Sequence, residues 1–372
     1  MAIKQEDCIV IKSAKGKKNS TNIYSHNCSG ELSKFLDRKN YSQHFILVDD
    51  NTVNLCLPVL LKGIQELQDA TVIEIFSGEA FKNIDTVQQV WEQLTEYHAD
   101  RRSVLINLVG GMGCDLGGFA AATYKRGIDF IHLPTTLLSQ ADAAYGGKQG
   151  IDFSNYKNQI GVFKDPAAIF VNPEFLKTLP AEQILNGFAE VVKHSLLDGG
   201  KFWKKIYLIE NLSSVNWKKI VQQSCEFKLS VVKADPYEKG LRKILNFGHT
   251  IGHAIETHLL KNNVDVLHGY CVAAGMIGEL HLSHKLCGMP EKKMRKGASY
   301  ITNHFPNVNV TENFFAELLT LMKQDKKNRD GQIQFALLKD IGMPMINVAA
   351  DEETILKALH FIEECYNVEK SL

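Results

Sequence analysis

Ser103-Val104-Leu105-Ile106-Asn107-Leu108-Val109-Gly110-Gly111-Met112-Gly113-Cys114-Asp115-Leu116-Gly117-Gly118-Phe119 is the stretch whose reading decides the fold. Ser103 to Val109 is a near-continuous apolar run, the pattern of a strand buried on both faces of a parallel sheet. Gly110 to Phe119 reads as a glycine-rich loop between that strand and a helix. Glycines there let the backbone approach a pyrophosphate while helix N–H groups point at it. Tight packing of helix on strand needs glycine as well, so the loop alone does not decide between ligand and packing. Its spacing also departs from the usual first-strand dinucleotide fingerprint.

The surrounding rhythm supports a parallel sheet. Upstream, a strand at Phe45–Val48 ends in Asp49-Asp50-Asn51-Thr52, and a helical pattern runs from Val53 to Ile64. A strand from Thr71 to Phe76 and a helix from Asp85 to Tyr97 follow. Downstream come Arg126-Gly127, a strand from Phe130 to Leu133, and Pro134-Thr135-Thr136. Hydroxyls at a strand's C-terminal end stand where ligands bind in such sheets, unless they only cap the next helix. Asp142 and Lys148 flank Gly146-Gly147 in a second glycine-rich segment, with Tyr156-Lys157-Asn158 beyond it, and Ala168–Val171 reads as the last strand. Strands alternating with helices imply a sheet covered on both faces. Residues 1–44 say little; Lys15–Ser20 reads as a solvated turn.

At Leu179-Pro180 the character changes, and long amphipathic helical patterns take over. A domain boundary is expected there, between residues 1–180 and 181–372. Within the second half, His249 and His253 are four apart in a helical pattern, hence on one face, and His268 follows. Such spacing suits metal binding, or one ligand beside one proton-transfer group. A carboxylate is the usual complement, and Glu190, three before Lys193, is the natural source. An exposed helical ion pair is the plainer reading of Glu190 and Lys193. His194 competes for the metal and reads better as a packing or supporting residue. A short strand is expected from Gln332 to Leu338 and a closing surface helix from Asp351 to Tyr366.

Lys+Arg and Asp+Glu balance at 42 each, so no global basic field favours nucleic acid or anionic membrane. The cysteines, eight in all, are scattered without a C-x-x-C pair, which reads as reduced thiols in a cytoplasmic protein. No run is long enough to span a membrane. Yet Arg126, Lys148, Lys157, Lys193, Lys228 and Arg242, with Lys326 and Lys327, lie in or beside glycine-rich or helix-end segments. Cations placed this way suggest a small ligand bearing more than one negative charge. A nucleotide-type sheet with a metal-bearing helical domain argues for metal-assisted chemistry on a polyhydroxylated phosphate.

From about Val48 to Leu338, these motifs resemble, in order, those of the 3-dehydroquinate synthase family of sugar phosphate cyclases. The resemblance implies a Rossmann-like α/β domain, a mainly α-helical metal domain, bound NAD, a divalent metal (zinc or cobalt), and a homodimer. It implies metal ligation by Glu190, His249 and His268, and catalytic roles for His253, Asn246, Lys148, Asp142, Lys193 and Arg242. Arg126, Asn158, Lys228 and Lys326 or Lys327 would bind substrate. Asp50, Glu79 beside Gly78, Lys82, Gly110, Gly111, Asp115, Thr135, Thr136, Lys157 and Thr178 would bind NAD. The implied reaction converts 3-deoxy-D-arabino-heptulosonate 7-phosphate to 3-dehydroquinate by transient oxidation, phosphate elimination, reduction and an intramolecular aldol step.

Three departures stand out. Val109 occupies the first position of a usual glycine triplet, and a valine does not readily take positive φ, which bears on the loop's approach to a pyrophosphate. Cys114 replaces the glycine before Asp115, and Tyr270 follows His268-Gly269 where the family carries an acid. Tyr145 and Gln149, around Gly146-Gly147-Lys148, are also unusual. The rival readings are a sister cyclase with another sugar phosphate, a polyol dehydrogenase that releases NADH, and a catalytically silent homologue.

Overall fold

A computed structural model describes residues 11–12, 22–25, 28–154, 156–324 and 332–368. The Lys15–Ser20 turn, Lys326 and Lys327 lie outside them. The chain forms two compact units: one holds the described residues up to Pro180 together with Trp217–Glu226, the other Ala181–Asn216 and the described residues from Phe227 onward.

In the first unit, β1 (Ile11–Lys12), β2 (Asn22–Ser25), β3 (His44–Asp49), β4 (Thr71–Ile75), β5 (Val104–Asn107), β6 (Asp129–His132) and β9 (Ala168–Val171) build one sheet. β7 (Lys148–Phe153) and β8 (Tyr156–Phe163) pair as a separate antiparallel hairpin. The sheet order is β1-β2-β9-β6-β5-β3-β4, and every pairing but β1 with β2 is parallel. β3 therefore has β4 on one side and β5 on the other, and the winding reverses between β3 and β5. In doubly wound sheets, ligands bind outside the strand C-termini at such a reversal. Asp49-Asp50 and Val109-Gly110 stand there.

The apolar runs are explained by burial: every residue of β5 and β9 is buried, as is β3 from Phe45 on. The helix at Ile84–Glu96 presents Val87, Val90 and Leu94 to the core, and Asn83 caps it by accepting from Thr86 N at 3.0 Å. The expected single helix from Val53 to Ile64 is instead two short pieces, Thr52–Leu55 and Leu57–Leu61, with Pro58 in the first turn of the second.

Gly110–Phe119 is corrected from loop to helix, since Gly111–Thr123 is helical and only Gly110 remains as its N-cap. Its glycines serve packing. A Cβ on Gly117 would fall 2.3 Å from Asn107 Oδ1 and 2.6 Å from Leu47 Cδ2, and one on Gly118 2.0 Å from Gln149 Oε1. Gln149, unusual in sequence, thus fills the space Gly118 leaves. The β7–β8 hairpin was not foreseen.

The second unit is mainly helical, with a hairpin of β10 (Ile333–Asp340) and β11 (Met343–Ala350), of which only part of β10 was expected. The helix His268–Cys287 is its centre and packs against helices Ala181–Asp198, His249–Lys261, Glu291–Thr302 and Glu352–Val368 and against β10. Being covered on most sides, it is apolar nearly all round. Glycines let it approach the histidine helix closely: a Cβ on Gly275 would lie 2.1 Å from Gly248 O, and one on Gly252 2.9 Å from Cys271 O. Among the described residues no helix is long and apolar enough to cross a membrane, and Cys56, Cys114, Cys225, Cys271, Cys287 and Cys365 form no disulfide.

Candidate active site

In the second unit, the Ala181–Asp198 helix carries Glu190 and Lys193, each 1% exposed. The surface ion pair expected from spacing is thus a buried one: Lys193 Nζ closes on Glu190 Oε2. Oε1 accepts no hydrogen bond from any described residue. It faces His249 Nε2 at 3.4 Å and His268 Nε2 at 3.9 Å.

With metal–ligand bonds of about 2.1 Å, two ligands at tetrahedral angles stand ~3.4 Å apart. Glu190 Oε1 and His249 Nε2 are one such edge apart, and a buried carboxylate oxygen without a hydrogen bond is suited to a cation. His268 Nδ1 meets Glu256 Oε2 at 3.1 Å, and His249 Nδ1 meets Phe247 O at 3.1 Å. Each acceptor assigns the proton to Nδ1 and leaves the Nε2 lone pair towards Glu190. The residues fit a divalent metal. Ring nitrogens of His249, His253 and His268 also lie within 4.8 Å of one another. The set of Glu190, His249 and His268 is favoured because it uses the Glu190 oxygen that no described residue hydrogen-bonds.

Asn246, closing the short helix Leu241–Asn246, donates from Nδ2 to Glu238 Oε1 at 2.8 Å. Arg242, 3% exposed, donates from Nη1 to Pro236 O at 2.7 Å, while Asp235 Oδ2 receives the backbone N–H of Gly240 and Arg242. Lys228 is buried as well. His194 is fully buried with its ring 5.5 Å from Phe227, and one of its ring nitrogens also lies within 4.8 Å of a Glu190 carboxylate oxygen. Tyr270 donates its hydroxyl towards Glu182 O at 3.5 Å, so the carboxylate bonded to His268 is Glu256. Glu256 and Glu238 were missed from sequence. Glu256 had a signal, being three residues past His253 and seven past His249 on one helical face.

In the first unit, Asp50 Oδ1 accepts from Ser77 N at 3.0 Å, joining the C-terminal ends of β3 and β4 ahead of Gly78. Gly78 sits at φ 104°, a region that favours glycine. Lys82 donates to Asp115 Oδ2 and Asn158 Oδ1, both at 2.7 Å, and Lys157 Nζ lies 3.8 Å from Glu79 Oε1. Burial alone would lower the Lys82 ammonium, but the carboxylates of Asp115 and Glu79 outweigh it and hold its pKa above the ordinary lysine value. The structure thus joins Glu79, Lys82, Asp115, Lys157 and Asn158 into one charged network.

At the switch point, Gly110 (φ −72°, ψ −168°) is extended, and Val109 is not among the left-handed residues. No glycine-only conformation is needed there, and the valine side chain instead covers Gly113, whose Cβ would lie 2.6 Å from it. Cys114 is fully buried, and burial first, then the charges of Asp115 and Asp49, push its thiol pKa up. A Cβ on Gly110 would come 3.1 Å from Thr136 Cγ2. Thr136 exchanges hydrogen bonds with Ser139 and caps the following turn. Thr135 differs: 3% exposed, its hydroxyl has no hydrogen-bond partner among the described residues. Thr135 N donates to Val109 O at 3.0 Å, which puts this residue at the switch point, where a dinucleotide would lie.

Asp142 lies in the π-helical turn Ser139–Ala143, and Lys148 opens β7. Arg126 (φ 69°) is not near Gly110, because it follows the far end of the Gly111–Thr123 helix, about 20 Å along its axis at ~1.5 Å per residue. Thr178 donates to Phe175 O at 3.4 Å.

A doubly wound parallel sheet in one unit and a buried carboxylate–imidazole cluster in a helical one define a class, that of nucleotide-sheet enzymes with a metal-binding helical half. Residues 72–186 match the model of the 3-dehydroquinate synthase N-terminal region, and residues 187–328 that of the C-terminal region. The 3-dehydroquinate synthase of Parabacteroides distasonis is 42% identical over 342 residues, 91% of this chain and 96% of its own. A solved structure of 2-deoxy-scyllo-inosose synthase complexed with carbaglucose-6-phosphate, NAD+ and Co2+ superposes with a TM-score of 0.81 at 23% identity, covering 94% of this chain and 99% of that one. The 2-epi-5-epi-valiolone synthase of Streptomyces hygroscopicus subsp. jinggangensis 5008, with NAD+ and Zn2+ bound, gives 0.80 at 23% identity, covering 95% and 98%. The chain belongs to the 3-dehydroquinate synthase family.

Proposed function

We propose that this chain converts 3-deoxy-D-arabino-heptulosonate 7-phosphate to 3-dehydroquinate and phosphate, a lyase reaction in which NAD ends each turnover in its starting state. The observation that carries the reading is the buried Glu190 carboxylate, faced by His249 and His268 Nε2 within a family-matched chain. Glu190, His249 and His268 would hold zinc or cobalt, and Asp50, Glu79, Lys82, Gly110, Gly111, Asp115, Thr135, Thr136, Lys157 and Thr178 the dinucleotide. When bound, the dinucleotide supplies reversible hydride acceptance and the metal polarises a substrate hydroxyl.

The chain's own groups do the rest. His253, one helical turn from His249, moves the proton of the hydroxyl being oxidised, and Asn246, steadied by Glu238, orients that hydroxyl. Lys193 balances the buried charge of Glu190 and adds an N–H donor beside it. Arg242, anchored through Pro236 O, clamps the substrate carboxylate in two-point fashion. Arg126, Lys148, Asn158 and Lys228 bind substrate oxygens, and Asp142 with Lys148 assists proton movement. The reading extends to a cytoplasmic homodimer, the second part of which light scattering on the eluted protein checks.

The test is phosphate release from 3-deoxy-D-arabino-heptulosonate 7-phosphate with catalytic NAD and added zinc or cobalt, while NADH absorbance is followed. Phosphate without accumulating NADH is expected. Accumulating NADH would mark a dehydrogenase, turnover only of other sugar phosphates a sister cyclase, and absence of NAD binding a silent homologue.

A further inference from the structure

The helix that carries His249 and His253 starts without a capping side chain of its own. Its N-cap is Gly248, left-handed at φ 81°, where a Cβ would also press on Met276 Cγ at 2.5 Å and Val272 O at 3.0 Å. First-turn N–H groups have no acceptor inside their own helix. These find one on the neighbouring helix. Glu279, 0% exposed within His268–Cys287, accepts from Gly248 N at 2.6 Å, Thr250 N at 3.1 Å and Ile251 N at 3.3 Å. A carboxylate stripped of water persists only where donors replace its hydration. Three N–H groups and the positive end of a helix dipole do so here.

The contacts run in opposite directions along the two helices: Gly248 with Gly275, Gly252 with Cys271, and Glu256 with His268. The pair is antiparallel and clasped by two acids, Glu256 on the His268 imidazole and Glu279 on the backbone that presents His249. An N-terminal turn anchored by three bonds to a buried anion has little freedom to rotate or slide. That freedom is what would move His249 Nε2 off its 3.4 Å separation from Glu190 Oε1.

We propose that Glu279 is a positioning residue of the metal cluster: it caps the histidine helix from outside and sets where His249 presents Nε2. The inference rests on the reading of Glu190, His249 and His268 as metal ligands. Glu279→Gln tests it, because Gln keeps the size but turns an NH2 group, a donor, towards donors. The readouts are Co2+ affinity by chelator competition and the ligand-field spectrum of bound Co2+, both without substrate. Loss of a residue that orients a ligand typically weakens metal binding 10–100-fold, and about that loss with a shifted spectrum is expected.

Tyr300→Phe is the control for stability alone. It removes hydroxyl bonds to Ile206 O and Ile209 O in the same unit and should lower the Tm without changing Co2+ affinity. Wild-type affinity and spectrum in Glu279→Gln, with only a lower Tm, would overturn the proposal. If Glu279→Gln does not fold, Glu279→Asp, one methylene shorter, is judged by the same two readouts. Wild-type protein binding Co2+ no more tightly than Glu190→Ala would remove the underlying metal reading, and the proposal with it.

Discussion

Lowering the pH from 7 to 5 should cost this protein about 2 kcal/mol of stability through His132 alone. His132 lies in β6, 1% exposed, and Asn107 on β5 donates from Nδ2 to its Nδ1 at 3.2 Å, which keeps the ring neutral with its proton on Nε2. Burial pushes its pKa down to about 3, whereas an unfolded histidine titrates near ~6.5. Between those values the unfolded chain binds more protons, so stability rises with pH across the window and is lost as pH falls through it.

At pH 5 the unfolded imidazole is almost fully protonated, and at pH 7 about a quarter so. At ~1.36 kcal/mol per unit the difference comes to about 2 kcal/mol. The figure hardly depends on the folded pKa while that stays below about 4, because the unfolded state then does all the titrating. Against a typical total of ~5–15 kcal/mol it is a large share. The assay is urea unfolding at pH 5 and pH 7 for the wild type and for His132→Gln, which keeps an acceptor for Asn107 and does not titrate. The midpoint loss on acidification should be smaller in the variant by the urea equivalent of about 2 kcal/mol at unchanged m. Equal losses in both proteins would refute the reasoning.

Three further outcomes are expected. Lys82→Met leaves Asp115 without its buried cation and should destabilise the first unit by about 3 kcal/mol, with part of the loss recovered in the double variant with Asp115→Asn, as a double-mutant cycle in urea would read. Thr135→Val removes a buried hydroxyl with no hydrogen-bond partner among the described residues and should raise stability by about 1 kcal/mol while weakening NAD binding, two opposite signs measurable by melting and by titration. Ala at Glu190, His249 or His268 should abolish metal retention on dialysis, and Glu256→Gln should weaken metal affinity about 10–100-fold by releasing the His268 ring. Unchanged metal content in any of the Ala variants would remove that residue from the ligand set.

The sheet was legible because β3, β5 and β9 are buried on both faces, so their apolar runs alternate with amphipathic helices. The glycine stretch misled in one respect. Glycine is a helix breaker by local propensity, but Gly113, Gly117 and Gly118 sit inside a helix because Val109, Asn107 with Leu47, and Gln149 occupy the space a Cβ would need. Leu47 and Gln149 lie far from these glycines along the chain, so a local rule does not see them. The hairpin β7–β8 was hidden the same way, since its partners Gly150 and Gly161 approach too closely for any side chain.

At the site, helical spacing brought out His249 and His253, His268 was noted as a third histidine soon after them, and the need for a hard ligand brought out Glu190. The acids that hold these groups, Glu238, Glu256 and Glu279, escaped notice, because a helical period shows which face a residue is on but not what lies opposite. That gap bears on the charge argument as well. Counting cations suggested a multiply anionic ligand, but Lys193 is matched to Glu190, Lys157 faces Glu79, and Arg242 gives one N–H to Pro236 O. A cation paired inside the protein attracts an outside anion less than its formal charge implies. The phosphate reading therefore stands on family membership, and the tally of lysines and arginines adds little to it.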